Sequence, residues 1–339
     1  MSTHPKVSII VLNHNSLKKL GPNALNYLQS IVDTEYPSLE TIVVDNASQD
    51  GSDKVIEDSF KQIKMIRLGR NAGYAGGNNT GAKACAKETK YIAFLNNDLI
   101  VEKDWLRKII ETMESDESIA AAQPKILQLR DKTLLDSLGG MIDRIGRAYD
   151  LGHGLPDRKD LKKPFQTFYA RGAAIIVRRD LYERLGGFDE DFFIYYEETD
   201  LCWRIRLLGY KIVTVPESVV YHLGGGTTGG ETKQTIYLRR RNQLATLIKN
   251  YSIKNAFKYA SQLAIKYMLY ALERLLIKRD HATAQAILSA TAWNLVNLRK
   301  TLRKRASVQG LRKISDDKLL KLILTPRMYD LLTSYLKPR

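Results

Sequence analysis

Short runs of β-branched and apolar residues alternate with helical patterns over the first half of the chain. The runs predict strands at 7–13, 40–45, 63–68 and 91–96. Apolar residues spaced by three and four predict helices at 23–32, 52–60, 74–87 and 104–115. Strands that alternate with helices are typical of βαβ units. The sequence therefore predicts an α/β fold with a mostly parallel sheet and helices on both faces.

The second half has a weaker strand pattern followed by a long helical one. Further strands are predicted at 120–128, 168–177 and 218–221. A helix predicted at 199–208 has its apolar residues on one face and stops at Gly209. From about residue 236 onward the apolar spacing is helical throughout. We therefore expect an α-helical extension at the C-terminal end.

Polar clusters follow the predicted strands of the first half. They begin at Asn13, Asp45, Asn71 and Asn96. Asn and Asp are ordinary turn residues, so each cluster alone is a weak signal. Because ligands collect beyond the carboxyl ends of parallel strands, four clusters at one edge of the sheet predict a binding cleft there.

The net charge of +16 is confined to the last third of the chain. Residues 1–232 contain 30 basic and 32 acidic side chains and carry −2, whereas residues 233–339 contain 23 and 5 and carry +18. We therefore predict a nearly neutral domain at 1–232 that holds the cleft and a basic helical region at 233–339. Five positive charges within 299–305 suit an anionic membrane surface, with helix packing or a solvated charge run as alternatives. No zinc-ligand spacing, RNP-like strand or helix-turn-helix pattern accompanies them, which argues against nucleic acid.

Other features favour a cytoplasmic protein at the face of a membrane. Two cysteines, Cys85 and Cys202, are too few for a disulfide framework. Residues 1–6 run directly into the first predicted strand, without the apolar core of a signal peptide. The most apolar stretch, 259–277, is interrupted by charged residues, which disfavours a spanning helix. We expect peripheral attachment to the inner face of the cell membrane.

Seven short motifs occur in an order and spacing that resemble a known enzyme family. They are VSIIVLN at 7–13, VVDNASQDGS at 43–52, NAGYAGGN at 71–78, LNND at 95–98, GGFDE at 186–190, YEETDLCWR at 196–204 and VYH at 220–222. Together they resemble family 2 glycosyltransferases with the GT-A fold, most closely the rhamnosyltransferase-like branch. The resemblance covers about residues 6–245. It implies a Rossmann-like sheet, a nucleotide-sugar donor and transfer of a sugar to a hydroxyl group.

The donor site implied by the resemblance lies at the predicted strand ends. Asp45 would accept a hydrogen bond from the imide N–H of uracil or thymine, unless it only caps the following helix. Asn71, Gly73 and Gly77 would let the backbone approach ribose and phosphate, since glycine has no Cβ, although a plain glycine turn is the alternative. The resemblance adds Asn13, Asn97, Asp98 and Gly172. The expected donor is dTDP-rhamnose or a UDP-hexose.

The segment 96–98 occupies the place of the family's metal-binding Asp-x-Asp motif. Mg²⁺ and Mn²⁺ prefer carboxylate oxygens and bridge phosphates, so the resemblance implies Asp98 as a ligand and one of these ions as the cofactor. Asn96 stands where the family has its first Asp, which weakens the expected metal dependence. The resemblance also suggests His222 as a second ligand, although a lone histidine is more often a core or surface residue.

Three carboxylates, Glu197, Glu198 and Asp200, stand at the start of the helix predicted at 199–208. Transfer of a sugar to an alcohol calls for a general base. By motif position, Glu198 matches the family's base, Glu197 its acidic neighbour and Asp200 a residue that orients the loop. Helix capping explains one carboxylate but does not need three. A base opposite the leaving group favours in-line displacement and therefore inversion at the anomeric carbon.

Other residues of the second half suggest an acceptor site. We expect Trp203 to stack on the acceptor sugar, and Arg240 and Arg241 to contact a diphosphate or a lipid, with a solvated charge run as the alternative. The expected acceptor is a glycan or a lipid-linked molecule in surface polysaccharide or glycolipid assembly. The sequence does not predict an oligomeric state.

Two other functions are weighed against this one. A non-catalytic scaffold that binds sugar or membrane would not need Asp98, Glu198 and His222 together. A dinucleotide-dependent oxidoreductase would need G-x-G-x-x-G directly after the first strand, but no glycine precedes Gly21.

Overall fold

A computed structural model of the chain describes residues 4–224 and 232–323. The strands are β1 (Lys6–Asn13), β2 (Leu39–Asp45), β3 (Lys64–Arg67), β4 (Thr89–Asn96), β5 (Leu99–Val101), β6 (Ile119–Gln128), β7 (Leu135–Ser137), β8 (Gly140–Ile142), β9 (Ala148–Asp150), β10 (Phe165–Gln166), β11 (Ala174–Arg178) and β12 (Lys211–His222). The helices are α1 (Ser16–Leu20), α2 (Asn23–Val32), α3 (Ser52–Ser59), α4 (Gly73–Lys83), α5 (Trp105–Ser115), α6 (Arg179–Arg184), α7 (Glu197–Leu207), α8 (Lys233–Asn250), α9 (Ile253–Leu272), α10 (His281–Val296), α11 (Leu298–Leu311) and α12 (Asp316–Leu320). Residues 324–339 of the predicted basic region lie outside the described part.

Ten strands of the described residues form one sheet, in the order β10-β12-β6-β11-β4-β1-β2-β3, with β5 paired to β12 and β7 to β6. The strands β3, β2, β1 and β4 are parallel to one another, and β6 is parallel to β12. The antiparallel strand β11 joins these two groups. The predicted α/β fold with a mostly parallel sheet is confirmed.

Apolar residues of the central strands alternate between two buried layers. In β1, Ile9 and Val11 belong to one layer and Ile10 to the other. The first layer packs under α2 and α5, and the second packs under α4, α7 and α8. A strand that is buried on both faces needs apolar side chains at nearly every position, which explains its uninterrupted apolar run.

The strand predicted at 168–177 is the main departure from the expected elements. Only its second part forms β11, because the peptide groups before it bond elsewhere. The backbone N–H of Phe168 donates to the carbonyl of Gly140, and that of Arg171 donates to the side-chain oxygen of Gln123. The sequence also missed the short strands β7, β8 and β9, which have too few residues to show a period of two.

The boundary predicted between residues 232 and 233 coincides with the start of α8, but the buried core is continuous across it. Leu247 of α8 and Tyr259 of α9 belong to the same cluster as Leu201 of α7. Arg305 of α11 donates to the carbonyls of Ile248 and Tyr251. The basic helices therefore complete the core of the preceding domain.

Helix α9 has apolar side chains on both of its faces. Its inner face buries Tyr259 and Leu263, while Phe257, Ile265 and Leu269 on the outer face are 78%, 60% and 63% exposed. Across the described ranges, no helix is both long and apolar enough to span a bilayer.

Candidate active site

A cleft of about 700 Å³ opens at the predicted edge of the sheet, beyond the carboxyl ends of β1 and β4. The N-terminal end of α7 and one side of α8 close it opposite the strands. The predicted residues that line it are Asn71, Gly73, Asn97, Gly172, Glu197, Glu198, His222 and Arg240. The other predicted residues, Asn13, Asp45, Gly77, Asp98, Asp200, Trp203 and Arg241, are not part of its lining.

Asn13 and Asp45 form a buried polar network behind the cleft. The amide nitrogen of Asn13 donates to Asp45 Oδ1 at 2.8 Å, and the backbone N–H of Ser48 donates to Asp45 Oδ2 at 3.0 Å. Asp45 is only 3% exposed. Each carboxylate oxygen can accept a further hydrogen bond, and the role predicted for Asp45 stays a prediction.

Asn71 and Gly73 shape the wall of the cleft next to this network. Asn71 Oδ1 accepts hydrogen bonds from the side chain of Asn46 and from the backbone N–H of Gly73. Gly73 has a φ of +71°, and an added Cβ would lie 2.3 Å from the carbonyl oxygen of Phe193. Glycine is therefore required at this position by both conformation and space.

Gly77 has a different role from the one expected. It lies in α4, and an added Cβ would lie 2.3 Å from the side chain of Leu12 in β1. Its small size allows the helix to approach the strand. The expectation that Gly77 brings backbone to ribose or phosphate is wrong in this structure, because the glycine faces the sheet and is absent from the cleft lining.

Asp98, His222 and Asp136 form a row of buried polar side chains beside the cleft. Strand β12 pairs with β5 so that His222 lies opposite Leu99, which brings the imidazole next to Asp98. His222 Nε2 lies 3.3 Å from Asp98 Oδ1, and His222 Nδ1 lies 2.7 Å from Asp136 Oδ2. Neither oxygen of Asp98 has a hydrogen-bond partner among the described residues.

The charges of this row favour a cation. Burial alone would lower the pKa of His222, but the hydrogen bond to Asp136 and the adjacent Asp98 raise it to about 9. Burial would raise the pKa of Asp136, but hydrogen bonds to His153 and His222 and the charge of Arg171 hold it well below its usual range. The two carboxylates of the row therefore stabilise the protonated, positively charged form of His222.

The row supplies some, but not all, of the ligands that a divalent cation needs. The described ranges contain no group of three or more His, Cys, Asp or Glu side chains arranged to hold a metal ion by themselves. Asp98 nevertheless offers two unpartnered buried oxygens, and the 3.3 Å to His222 Nε2 is close to the roughly 3 Å that separates adjacent ligands of an octahedral ion. Such ions usually keep waters and take phosphate oxygens. Asp136 would orient His222 from the other side, as outer carboxylates commonly do for histidine ligands.

Glu197 and Glu198 begin α7 and face the cleft. In each, Oε2 is buried and has no hydrogen-bond partner in the described part of the chain. Burial raises the pKa of Glu198 to about 7, and the charge of Asp150 adds to the rise. Burial and the charge of Glu198 also raise the pKa of Glu197 well above its usual range. A carboxyl group that titrates near neutral pH is suited to accept a proton.

Asp200 is fully buried and fully partnered, unlike these two glutamates. Its carboxylate accepts from Arg204 Nε at 2.8 Å, from Lys249 Nζ at 2.9 Å and from Asn250 Nδ2 at 2.9 Å. These contacts join α7 to the end of α8. The geometry agrees with the interpretation of Asp200 as an orienting residue.

The loop before α7 has a backbone that bulky residues rarely adopt. Phe193, Tyr195 and Tyr196 have φ values of 63°, 72° and 70°. Phe193 is the centre of a γ-turn, closed by a 2.7 Å hydrogen bond from Ile194 N to the carbonyl of Phe192. Such turns are strained and persist only where the surroundings hold them.

Asn242 of α8 holds this loop. Its amide nitrogen lies 2.9, 3.0 and 2.7 Å from the carbonyl oxygens of Phe192, Ile194 and Tyr195. Asn242 is fully buried, so these contacts are shielded from water. The sequence analysis did not identify Asn242, because nothing local marks an asparagine within a helical pattern as a loop anchor.

The same loop reaches the donor side of the cleft. The carbonyl of Phe193 accepts from the backbone N–H of Ala75 at 3.1 Å, and the Phe193 ring fills the space beside Gly73. One segment therefore contacts the start of α4 and leads directly into Glu197 and Glu198.

The sequence analysis also missed Asp136, which belongs to no motif.

Two residues predicted for the acceptor side lie in the core. Trp203 is fully buried, with its ring edge-to-face against Phe168 and Tyr251, so the expected stacking on an acceptor sugar is wrong in this structure. Arg241 is also buried and donates to the carbonyls of Asp191 and Phe192. Trp203 is covered by Phe168 and Tyr251, and Arg241 is covered by residues 191–192 and the ring of Trp293.

The chain is similar in sequence to known glycosyltransferases. The sequence profile of glycosyl transferase family 2 matches residues 8–186. The chain is 28% identical over 240 residues to the low-salt glycan biosynthesis hexosyltransferase Agl10 of Haloferax volcanii, covering 70% of this chain and 74% of that protein. It is 24% identical over 235 residues to the N-acetylglucosaminyl-diphospho-decaprenol L-rhamnosyltransferase of Mycobacterium tuberculosis, covering 62% of this chain and 74% of that protein.

The fold also resembles solved structures. The crystal structure of GalNAc-T7 with UDP, GalNAc and Mn²⁺ aligns with a TM-score of 0.60 and 18% identity, covering 88% of this chain and 58% of that one. The likeness confirms the GT-A fold expected from the sequence motifs. The chain belongs to glycosyl transferase family 2.

Proposed function

We propose that the protein transfers a sugar from a nucleotide-diphosphate donor to a hydroxyl group, with inversion at the anomeric carbon. The observation that carries the proposal is the presence of two different carboxylate groups at one cleft: Asp98, buried behind the cleft beside His222, and Glu198, whose Oε2 has no hydrogen-bond partner among the described residues. The first has the donor atoms that a phosphate-bridging cation needs. The second has the pKa that a general base needs.

The donor would lie along the wall formed by the ends of β1, β2 and β4. Asn71, Gly73 and Asn97 line that wall, and Gly172 lies under Glu198. A Mg²⁺ or Mn²⁺ ion held by Asp98 and His222 would neutralise charge on the leaving diphosphate. The pyrimidine of a dTDP or UDP donor would be read at Asp45, whose carboxylate can accept a hydrogen bond beside those it already makes.

Glu198 would take the proton of the acceptor hydroxyl as that oxygen attacks the anomeric carbon. Glu197 would stand beside Glu198 as its acidic neighbour, and Asp200 would keep the start of α7 in place through Lys249. Attack from the side opposite the diphosphate gives inversion.

The acceptor is proposed to be a glycan or lipid-linked molecule, with the protein attached to an anionic membrane surface. The support is the outer face of α9, where Phe257, Ile265 and Leu269 are exposed beside Lys254 and Lys258. Apolar side chains that insert and lysines that contact anionic headgroups are the two elements of such attachment. Sedimentation with vesicles of phosphatidylglycerol tests it, and a protein that stays in solution at low salt contradicts it.

A donor screen tests the enzymatic proposal. Purified protein is incubated with Mn²⁺ and each of a panel of UDP-, dTDP- and GDP-sugars, and release of the nucleoside diphosphate is measured. We expect release with at least one UDP- or dTDP-sugar and loss of release in chelator. A protein that binds nucleotide sugars but releases nothing with any acceptor extract would instead support the non-catalytic scaffold.

A further inference from the structure

A second cavity of about 210 Å³ adjoins the cleft on the side of α8 and α9. Arg147, Arg240 and Gln243 line both spaces, so the cavity is a continuation of the cleft. Its remaining lining comes mostly from α9 and includes Lys266, Tyr267 and Tyr270. A ligand that reaches Glu198 in the cleft can therefore extend into it.

Three cations from three parts of the fold converge on this cavity. Arg147 precedes β9, Arg240 lies in α8 and Lys266 lies in α9. In the described ranges none of the three forms an ion pair, and no carboxylate lines the cavity. By contrast, Arg204 and Lys249 on the same side of the molecule both pair with Asp200. Cations gathered without counter-charge mark a place for an anionic ligand.

Tyrosines hold one of these cations in place. The Arg240 guanidinium lies 5.3 Å from the centroid of the Tyr267 ring and 5.9 Å from that of Tyr270. Tyr267 is itself only 3% exposed and donates its hydroxyl to Gln243 Oε1 at 2.7 Å. The cavity therefore has a fixed wall at Arg240, Tyr267 and Gln243, while Arg147 and Lys266 are exposed.

The cavity also borders the apolar outer face of α9. Lys266 stands directly after Ile265 and within one turn of Leu269, both of which are exposed. Three environments follow one another along the surface: the cleft with Glu198, the cationic cavity and an apolar helix face. That order matches a molecule with a sugar hydroxyl, a phosphate and a hydrocarbon chain.

We propose that this cavity, the anion subsite, binds a phosphate or diphosphate group of the acceptor through Arg147, Arg240 and Lys266. The inference rests on the proposed function, since it names the chemical class of the acceptor that Glu198 deprotonates. The phosphate joins the sugar in the cleft to an apolar chain that lies along α9. The cations that bind it are separate from Asp98 and His222, which are assigned to the donor diphosphate.

Calorimetry on the full chain with farnesyl diphosphate tests the subsite. We expect this probe to bind in the presence of saturating UDP and Mg²⁺, and farnesol to bind at least about tenfold more weakly, since it lacks the charged group. The double variant Arg147→Ala/Lys266→Ala should weaken farnesyl diphosphate binding by about tenfold or more. Displacement of the probe by UDP would place it in the donor site and overturn the proposal.

The variant Arg144→Ala/Lys163→Ala is the matched control. Both residues are exposed, Arg144 lies near Arg147 in the chain, and Lys163 lies just before β10 and lines neither the cleft nor the cavity. The control removes the same net charge outside the cavity, so its affinity for farnesyl diphosphate should stay within about twofold of the unmodified protein. Equal weakening in both double variants would mean general attraction of anions and would overturn the subsite.

Two further measurements distinguish an acceptor phosphate from a bilayer headgroup, and a failure of the anion subsite from a failure of the proposed function. If Arg147→Ala/Lys266→Ala loses binding to phosphatidylglycerol vesicles but keeps its affinity for farnesyl diphosphate, the cations contact bilayer headgroups and the proposal is wrong. UDP affinity should be unchanged in this variant. Failure of the unmodified protein to bind UDP or any nucleotide sugar would defeat the proposed function, while the farnesyl diphosphate titration would still report on the cavity.

Discussion

Two groups of carboxylates lie along the same cleft and differ in how their charge is balanced. Asp136 is surrounded by positive groups, with His222 at 2.7 Å and Arg171 at 3.3 Å, and its pKa is held well below the usual range. Glu197 and Glu198 have no ion-pair partner among the described residues, and burial raises both pKa values. Asp136 therefore stays ionised across the physiological range, whereas the pKa of Glu198 is raised to about 7 and that of Glu197 well above its usual range.

The difference separates binding from proton transfer. A permanently ionised site attracts a cation at any working pH, and a carboxyl group of raised pKa is a stronger base when it is deprotonated. In the proposed function, side chains of the same chemical type acquire two functions from their surroundings. The first three predictions below each concern one group and leave the other intact, and the fourth concerns the loop that positions Glu198.

The largest effect is expected for Glu198→Gln. This change keeps the size and the hydrogen-bonding capacity of the side chain but removes the proton acceptor, so kcat should fall by about 10² to 10⁴. Nucleotide affinity, measured by calorimetry, should stay the same. Glu183→Gln, on the exposed end of α6, is the control and should be fully active. If the variant retains more than about a tenth of the rate, Glu197 or Asp200 is the general base instead of Glu198.

The pH profile gives the next largest effect. Glu198 acts as a base only when deprotonated, and its pKa is about 7. The value of kcat/KM should therefore fall by about 50-fold between pH 7 and 5, approaching tenfold for each pH unit well below 7. The residual rate of Glu198→Gln should not follow this decline. A flat profile in the unmodified enzyme would exclude a rate-limiting proton transfer to Glu198.

Asp136→Asn changes only the ionised group. The amide still reaches His222 but lacks the negative charge, so the metal concentration that gives half of the maximal rate should rise by about 10- to 100-fold. Asp131→Asn is the control, because the Asp131 side chain accepts only from Thr133 among the described residues and lies on the exposed surface. An unchanged metal requirement in Asp136→Asn would argue that His222 is not a ligand.

The smallest effect on rate is expected where α8 holds the strained loop. Asn242→Ala removes the contacts to three buried carbonyls, so Glu198 should be less well placed and kcat should fall by about tenfold. Asn294→Ala is matched, since its amide donates to the carbonyls of Arg241 and Ala290 away from the loop. Both variants should lose about 1 to 3 kcal/mol of unfolding free energy by denaturant titration. Equal kcat values in the two variants would show that Asn242 contributes to stability but does not position Glu198.

The sequence by itself determined the central sheet and the edge where the cleft lies. The helix predicted at 23–32 is α2, residue for residue, and the predicted first and second strands end where β1 and β2 end. Such elements can be predicted because the apolar period and the turn residues that bound them are local. The motif order also located Asp98, Glu198 and His222, which the fold brings to one cleft although they are far apart in the chain.

Only the tertiary structure decided which polar residues are partnered and which large side chains are covered. Trp203 is a core residue because Phe168 and Tyr251 close over it, and Gly77 faces Leu12 of β1. Asp136 and Asn242 join the site through contacts with residues distant in sequence. A local pattern records the burial of a face but not the partner that buries it, so the charge balance around Asp98 and Glu198 is settled only when the chain has packed.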